Sequence, residues 1–310
     1  MYFCSMTYNE LWRQIAHIYD DGEAKAIARM IYEVRFGLSP SDLFLGKDTQ
    51  LSTDDQKLLE EIAQRLMTGE PVQYAIGLAE FGGRTFHVEP GVLIPRPETY
   101  ELCQWIVSSG LQRTFPGCPC LSAVVRCQKI LDIGTGSGCI ACTLAADIPD
   151  AQVTAWDISE EALRIAAENA KRIGVTVRFE QQDILNDTPS PSLPPCYPLA
   201  TPLLPPCYEY DIIVSNPPYI CEKEKDGMER NVLDYEPALA LFVPDDDPLL
   251  FYRAIARYGL TALKPGGRLY FEINPLYADA LRDMLSMMSW HDIEIKEDQF
   301  GKQRFIKASR

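Results

Sequence analysis

The sequence predicts an α/β protein in which a doubly wound, mostly parallel sheet follows a small all-helical N-terminal domain and a linking β-hairpin. From residue 124 onwards, short apolar runs alternate with segments of helical periodicity, which is the rhythm of βαβ units. Before residue 69, apolar residues recur at helical spacing. We therefore expect a helical domain over residues 1–76, a hairpin linker over 77–95 and a sheet domain over 96–310.

The helices of the N-terminal domain are predicted within residues 8–68. Residues 21–36 carry their apolar side chains on one side of a helix. The pattern Thr53-Asp-Asp-Gln56 has capping-box spacing and marks the start of a further helix. Gly69 and Pro71 end that helix, because Gly accepts a left-handed conformation and Pro cannot continue a helix.

A β-hairpin is predicted over residues 81–93, since the pairs Gly82-Gly83 and Pro90-Gly91 are turn signals. The next stretch is Ile94-Pro-Arg-Pro-Glu-Thr99, and a helix is predicted over residues 98–111. A Pro in the first turn fits a helix entry. It does not explain the second Pro two residues earlier, so a plain helix entry and a functional loop both stay open.

Strands and helices alternate through the rest of the chain, except in two segments. The insertions 112–127 and 188–208 break the rhythm and are interpreted as surface loops, where added length costs little. The predicted strands cover residues 129–133, 152–156, 175–180, 211–215, 267–273, 293–295 and 304–306. The predicted helices cover residues 139–147, 160–173 (with Ser159 as its cap), 248–263 and 278–288.

The composition favours a cytoplasmic protein and disfavours a direct nucleic-acid substrate. A net charge of −15 leaves few Lys and Arg to meet phosphates, although it is compatible with a basic protein partner. No apolar run approaches the ~20 residues that span a membrane. The N-terminus does not read as a secretory signal, and both Met1 and Met6 are candidate starts. Ten cysteines in such a chain indicate reduced thiols.

Five of the cysteines lie in the two insertions. Cys127 and Cys207 each stand just before a predicted strand, so they would approach each other if those strands are neighbours. A zinc or redox site is one interpretation, but the spacing is irregular and no His is near. Unpaired loop thiols are the favoured interpretation, and no metal is expected.

A glycine-rich turn, Asp132-Ile-Gly-Thr-Gly-Ser-Gly138, follows a predicted strand and opens a helix. Its glycines let the backbone approach a ligand closely, beside the free N–H groups of the helix. Asp157 ends the next strand, where a carboxylate can accept from both hydroxyls of a ribose. The third Gly comes one residue too early for a dinucleotide fingerprint, which favours a smaller adenosyl ligand. After the third strand, Asp183 can accept from an adenine amino group and Ile184 can pack on the ring.

Asn216-Pro-Pro-Tyr219 follows the predicted strand 211–215. The two prolines stiffen the turn and hold Asn216 in extended geometry, so its position is defined. The Asn216 side-chain carbonyl and the Pro217 backbone carbonyl can both accept from a planar NH₂ group. Together with the glycine turn, this predicts methyl transfer from S-adenosylmethionine to a conjugated nitrogen, with Tyr219 stacking on that group or forming a wall of its pocket.

In these residues the chain resembles the release-factor glutamine methyltransferases, the PrmC/HemK family. The proline-containing loop before the sheet, with a helical N-terminal domain, is specific to that family, whereas the glycine turn and the Asn-Pro-Pro-Tyr tetrad are shared with many amino-methyltransferases. The resemblance covers nearly the whole chain except the insertions. Its motifs are Pro71-Val-Gln-Tyr74 with Gly77, Leu93-Ile-Pro-Arg-Pro-Glu-Thr99, Asp132 to Gly138, Asn216 to Ile220, Tyr235-Glu-Pro237 and Leu263-Lys-Pro-Gly-Gly267.

The resemblance implies a Rossmann-like methyltransferase sheet and a helical domain that recognises the substrate. The implied reaction methylates the side-chain amide nitrogen of the Gln in the Gly-Gly-Gln loop of peptide-chain release factors, with S-adenosylmethionine as cofactor. The residues implied to bind the cofactor are Gly134, Thr135, Gly136, Ser137, Gly138, Asp157, Ile158, Asp183, Ile184 and Asn216. Those implied to hold the substrate glutamine are Asn216, Pro217, Pro218 and Tyr219, bordered by Arg96 and Glu98.

Two other functions stay open at this point. An amino-methyltransferase acting on adenine or guanine in RNA or DNA would use the same tetrad, because those bases also present a conjugated NH₂. It would need a basic channel and, in a duplex, base flipping, which the acidic charge disfavours. A catalytically inactive cofactor-binding or scaffold protein is the second alternative, and the complete tetrad argues against it.

Overall fold

The structure is a computed structural model, and it describes residues 6–110, 128–186 and 209–310. The insertions 112–127 and 188–208 lie outside the described residues, and so do Cys127 and Cys207. Within the described part, Cys103, Cys139, Cys142 and Cys221 are buried free thiols.

The N-terminal part is helical, as the periodicity predicts. Its helices are α1 (Tyr8–Ile15), α2 (Asp21–Met30), α3 (Pro40–Phe44), α4 (Thr53–Met67) and α5 (Val72–Ile76), with a π-helical turn at Ile31–Arg35 and a 3₁₀ turn at Lys47–Gln50. The predicted helix over residues 21–36 thus changes its hydrogen-bonding pattern after Met30. The cap of α4 lies one residue earlier than predicted, because the Ser52 side chain accepts from the backbone N–H of Asp55.

The hairpin is shorter and earlier than predicted. It consists of β1 (Leu78–Phe81) and β2 (Arg84–His87), joined through Gly82 and Gly83. The prediction of a hairpin over residues 81–93 was wrong about its extent: Pro90 and Gly91 do form a turn, but residues 88–96 contain no strand. The helix α6 follows at Pro97–Gly110.

Most of the remaining elements build the sheet and the layers beside it, whereas β7 and β8 form a small separate sheet and α9 belongs to the helical unit. The other strands are β3 (Lys129–Ile133), β4 (Gln152–Asp157), β5 (Val177–Gln181), β6 (Tyr210–Ser215), β7 (Ile220–Cys221), β8 (Phe242–Val243), β9 (Leu263–Glu272), β10 (His291–Glu297) and β11 (Gln303–Ser309). The other helices are α7 (Cys139–Asp147), α8 (Glu160–Ile173), α9 (Arg230–Tyr235), α10 (Ala238–Leu241), α11 (Leu250–Ala262) and α12 (Ala278–Met287). Residues 220–243 hold short elements that the sequence did not predict, because two-residue strands and helices of four to six residues have too little periodicity.

Seven strands form one sheet in the order β10-β11-β9-β6-β3-β4-β5. The pairs from β9 to β5 are parallel, and the two pairs that involve β11 are antiparallel. The chain starts in the middle at β3, moves outwards to β5, and then returns to β6 on the other side of β3. The prediction of a doubly wound, mostly parallel sheet is therefore confirmed.

The described chain divides into two compact units, each with its own apolar core. The first comprises Met1–Ala79, His87–Pro90 and Gly227–Glu236, and its core is formed by helical residues such as Leu11, Ile31 and Leu59. The second comprises Glu80–Phe86, Gly91–Asp226 and Pro237–Arg310, and its cores lie on the two faces of the sheet. In the first unit, the Tyr235 hydroxyl donates to the backbone carbonyl of Thr68 (3.0 Å), which ties the segment Gly227–Glu236 to α4.

The parallel register brings the carboxyl ends of β3, β4 and β6 together. Ile133 pairs with Trp156 on one side, and Asp132 pairs with Val214 on the other. The chain reverses its direction of growth between β5 and β6, so these ends lie at the topological switch point where α/β sheets bind ligands.

Candidate active site

A cavity of about 350 Å³ opens at the carboxyl ends of these strands, and all its lining residues belong to the second unit. Its volume lies within the range of small-molecule sites. The lining comprises residues 91–96, 133–137, 157–159, 182–185 and 215–218, together with Thr99, Cys139, Ile140, Ala162, Pro237, Leu239, Ala240, Phe251 and Ile255. Most of the separately predicted ligand residues thus border one space.

The glycine turn forms one wall of this cavity. Gly134 and Gly136 have φ angles of +74° and +54°, a region that residues with a Cβ atom rarely adopt. A Cβ atom built on either glycine would meet no atom within 4 Å, so it would point into open space. Backbone hydrogen bonds of 2.9 Å from Gly134 and Thr135 to the Trp156 carbonyl hold the turn against β4. The turn therefore offers a ligand direct approach to its backbone.

Gly138 has a different role from the first two glycines. Its φ is +79°, and a Cβ atom there would lie 2.9 Å from Cβ of Ala166 in α8. It does not line the cavity. Gly138 thus packs closely on α8, and its contact with a cofactor stays a prediction. Nearby, the side chain of Asn169 in α8 donates to the Ser137 carbonyl (2.9 Å), which also holds the turn against α8.

Asp132 supports the turn from within the sheet. It is fully buried, and its Oδ2 accepts from the Thr135 hydroxyl (2.7 Å) and from the backbone N–H of Ala141 (3.2 Å). Oδ1 is also buried and meets no hydrogen-bond donor among the residues that the structure describes. Burial raises the pKa of this carboxyl to about 7, although both hydrogen bonds oppose the shift.

Asp157 and Asp183 lie at the edge of the cavity. The Asp157 carboxylate accepts from the backbone N–H groups of Gly136 (2.9 Å) and Ser159 (3.0 Å), so it is held in a fixed orientation. Burial raises its pKa, against those hydrogen bonds. Asp183 accepts from the backbone N–H of Leu185 (2.9 Å), so it caps a turn. It also lines the cavity, where it can contact a ligand. Ile158 and Ile184 supply apolar surface beside them.

The Asn-Pro-Pro-Tyr tetrad begins directly after β6. The buried Ser215 hydroxyl donates to the Ile133 carbonyl (2.6 Å), which fixes the end of β6 to the end of β3. Asn216, Pro217 and Pro218 line the cavity on this side. At the far end of the tetrad, the Asn274 amide donates to the Tyr219 backbone carbonyl (3.1 Å).

Behind the tetrad lies a hydrogen-bond network that includes a buried carboxylate. Glu272 ends β9, and its two oxygens accept from the hydroxyls of Thr99 (2.6 Å) and Tyr219 (3.2 Å). Thr99 Oγ1 in turn lies 3.4 Å from Nδ2 of Asn216. Burial raises the pKa of Glu272, whereas the Thr99 hydrogen bond and the positive charge of Arg304 lower it.

Comparison with known proteins assigns the chain to a family. A methyltransferase domain model matches residues 126–275, and a PrmC N-terminal domain model matches residues 12–77. The release factor glutamine methyltransferase of Bacteroides thetaiotaomicron is 45% identical over 96% of this chain and 97% of its own length. The chain belongs to the release factor glutamine methyltransferase family. The family's enzyme from Flavobacterium psychrophilum is 37% identical over 95% of each chain.

A solved structure also resembles this family member. It is the release-factor-specific protein-(glutamine-N5) methyltransferase of Alicyclobacillus acidocaldarius, which is 24% identical and covers 73% of this chain and 99% of its own. Its TM-score is 0.39, so the family assignment rests on the sequence matches.

Within this family member, the structure separates the predicted substrate residues into two groups. Arg96, Asn216, Pro217 and Pro218 line the cavity, whereas Tyr219 and Glu98 do not. The Tyr219 ring packs against the apolar core, and its hydroxyl faces Glu272. Glu272 thus offers the Tyr219 hydroxyl an acceptor behind the tetrad, and a contact of the Tyr219 ring with a planar substrate stays a prediction.

Sequence reasoning missed Thr99, Glu272 and Asp132 as individual contributors. In the sequence, Thr99 stands out only as the end of the proline-containing loop. Glu272 lies within the predicted strand 267–273, where an acidic residue inside a buried apolar run is the available signal. Asp132 gave the same signal at the end of the strand 129–133.

Proposed function

We propose that this chain transfers a methyl group from S-adenosylmethionine to the side-chain amide nitrogen of a Gln in a peptide-chain release factor. By the family resemblance, that Gln is the one in the Gly-Gly-Gln loop. The enzyme would act in the cytoplasm, where translation takes place. No helix in the described ranges is long and apolar enough to cross a membrane.

One observation carries this proposal: the glycine turn, Asp157 and the first three residues of the tetrad line a single cavity. A cofactor held by the turn and an NH₂ group held by Asn216 would therefore share one space. Such shared positioning of two reactants lowers the entropic part of the barrier.

The residues at the switch point fit an adenosyl cofactor. Open space beside Gly134 and Gly136 admits a ligand to their backbone, and the Asp157 carboxylate supplies an acceptor for ribose hydroxyls. Asp183 would accept from the adenine amino group, with Ile158 and Ile184 packing on the ring. When bound, the cofactor supplies an electrophilic methyl group on a sulfonium.

The tetrad would orient the acceptor amide. Its NH₂ lone pair is delocalised, so the amide nitrogen is a weak nucleophile. The Asn216 side-chain carbonyl and the Pro217 backbone carbonyl can accept both amide hydrogens, which directs the lone pair and favours the more positive nitrogen of the transition state. One side-chain carbonyl and one backbone carbonyl thus provide the acceptors, and no general base is needed before attack.

The release factor is also the partner that we propose for the helical unit. A PrmC N-terminal domain model matches residues 12–77, almost the whole of this unit's helical part. We infer that the unit recognises the release factor, while the cavity-lining residues carry the chemistry.

Incubation with labelled S-adenosylmethionine tests the proposed reaction. The purified protein is offered a release factor, the same release factor with its Gly-Gly-Gln glutamine replaced by Ala, or bulk RNA. We expect label in the first sample only. Label in RNA alone would replace this proposal by the nucleobase reaction, and label in no sample would favour a binding protein without activity. Zinc analysis of the same preparation tests whether the cysteines of the two insertions bind zinc.

A further inference from the structure

We propose that Glu272 is a positioning residue that fixes the orientation of the Asn216 carboxamide through the Thr99 hydroxyl. The inference rests on the proposed function, because it concerns the acceptor for the substrate amide. It adds to that function a reason why Asn216 presents its carbonyl, and not its NH₂ group, to the substrate.

The direction of the network follows from the number of hydrogens in it. A carboxylate can only accept hydrogen bonds. Glu272 is 2% exposed, and its Oε2 lies 2.6 Å from Thr99 Oγ1, so the hydroxyl must donate its single hydrogen to Glu272. The oxygen of Thr99 is then an acceptor for any other neighbour.

That neighbour is Asn216. Because Thr99 has no second hydrogen, the atom of the Asn216 carboxamide that faces it at 3.4 Å must be the NH₂ group. The opposite atom of the same planar group, Oδ1, then faces away from Thr99. Asn216 lines the cavity, and a carbonyl oxygen is the group that a substrate NH₂ requires there.

Without this network, the carboxamide could present either of its ends, since the two differ little in size. An Asn216 rotated by a half-turn would direct its NH₂ group at the substrate NH₂ group, and two donors repel each other. The Glu272 charge thus acts on the substrate site through two hydrogen bonds, without touching the substrate.

Burial raises the pKa of Glu272, and the hydrogen-bond donors around it act in the opposite direction. Thr99 and Tyr219 both donate to it, and Arg304 supplies a nearby positive charge, whereas Glu98 supplies a negative one. Arg304 is itself paired with Asp298 at 3.3 Å, which anchors the guanidinium.

The test is a matched pair of substitutions at Thr99, with Glu272→Gln as an independent variant. Thr99→Val keeps the shape of the side chain and removes the hydroxyl, whereas Thr99→Ser keeps the hydroxyl. Each variant is assayed for kcat and KM with a release factor, for S-adenosylmethionine affinity by calorimetry, and for thermal unfolding.

We expect Thr99→Val to lower kcat about tenfold or more, by analogy with the loss of one preorganised hydrogen-bonding group. KM for the release factor and cofactor affinity should change much less, and Thr99→Ser should restore most of kcat. Glu272→Gln should lower kcat as well, since its amide can donate to Thr99 and reverse the network. The double variant Thr99→Val with Glu272→Gln should be no worse than the poorer single variant, because the two residues act as a unit.

A hydroxyl with only a structural role would give a different result: Thr99→Val would lower the unfolding temperature and leave kcat of the folded fraction near that of the wild type. That outcome, or additive kcat losses in the double variant, would overturn the inference. Failure of the proposed function is distinguishable, since the wild-type protein itself would then transfer no label to the release factor.

Discussion

At the residue scale, the Asn216 carboxamide is the group on which the proposed chemistry depends most. It follows the end of β6, lines the cavity and is the member of the tetrad with a side-chain carbonyl. Its partners Thr99 and Glu272 come from distant parts of the chain.

We predict that Asn216→Ala lowers turnover about 100-fold or more, since one positioned hydrogen-bond acceptor is lost. Most cofactor affinity should remain, because the glycine turn and Asp157 are unchanged. Single-turnover methylation and calorimetry measure the two effects separately. The exposed carboxamide of Gln299 offers a control, and Gln299→Ala should behave as the wild type. Near-normal turnover of Asn216→Ala would contradict the role given to it.

Asp132 predicts a pH dependence of stability. Burial raises its pKa from 3.8 to about 7 in the folded protein, so the folded state binds a proton more tightly than the unfolded state. Its contribution to the free energy of unfolding is therefore full below about pH 4 and falls as the pH rises towards about 7.

In Asp132→Asn this titration is absent, while an oxygen remains to accept from Thr135. We expect the unfolding free energy of the wild type to decrease relative to that of the variant as the pH rises from about 4 to about 7. Urea unfolding at several pH values measures the difference. Parallel pH profiles for the two proteins would show that Asp132 does not titrate in this range.

At the scale of elements, the glycine turn between β3 and α7 combines two demands. Gly134 and Gly136 keep space open on the cavity side, and Gly138 permits close packing on α8. Three residues of the same type therefore serve two different purposes within five positions. The turn stays in place because the strand ends beside it are joined, through the Trp156 and Ile133 carbonyls.

Gly134→Ala tests this division against a matched control. Gly174, the C-cap of α8, has a φ of +81°, and a Cβ atom there would also meet nothing within 4 Å. Both substitutions should destabilise the fold by about 1 to 2 kcal/mol, because each forces Ala into the left-handed region. Gly134→Ala alone should weaken S-adenosylmethionine binding, since its methyl group enters the cavity.

Calorimetric titration and thermal unfolding of both variants decide the outcome. Equal cofactor affinity in Gly134→Ala and Gly174→Ala would mean that the space beside Gly134 is not a ligand site. A loss confined to Gly134→Ala would support the cofactor placement proposed above.

At the scale of the whole molecule, the cavity belongs to one of the two compact units. All residues that line the cavity lie in the second unit, and the first has a helical core of its own. The first unit also contains Gly227–Glu236, which the sequence places inside the sheet domain. The segment therefore belongs to the helical unit by its contacts, although it follows β7 in the chain.

Leu59 provides a test of this division. It is fully buried in the helical core, so Leu59→Ala should destabilise the first unit by about 2 to 5 kcal/mol. Cofactor affinity should be kept, because the cavity belongs to the other unit. Leu45 is 69% exposed in the same unit, and Leu45→Ala should change little. Limited proteolysis measures the stability of the first unit, and calorimetry measures the cofactor affinity. Loss of cofactor binding together with the helical unit would contradict an independent role for the cavity.

The sequence by itself determined the local features of this protein. Helical periodicity defined the N-terminal helices, and alternation of strands and helices defined the mostly parallel sheet, since both depend on neighbours within a few residues. The glycine turn, Asp157 and Asn216 were also recognisable, because each stands at the end of a predicted strand and such ends meet at one edge of a parallel sheet.

Only the tertiary structure decided which side chains meet behind the tetrad. Thr99 and Glu272 are 173 positions apart, and their hydrogen bond depends on where α6 and β9 lie in space. The structure likewise placed the Tyr219 hydroxyl beside Glu272 and Gly138 beside Ala166, two contacts that the sequence does not predict. The physical reason is that a motif fixes the kind of groups available, whereas burial and packing against distant elements fix the direction in which each group points.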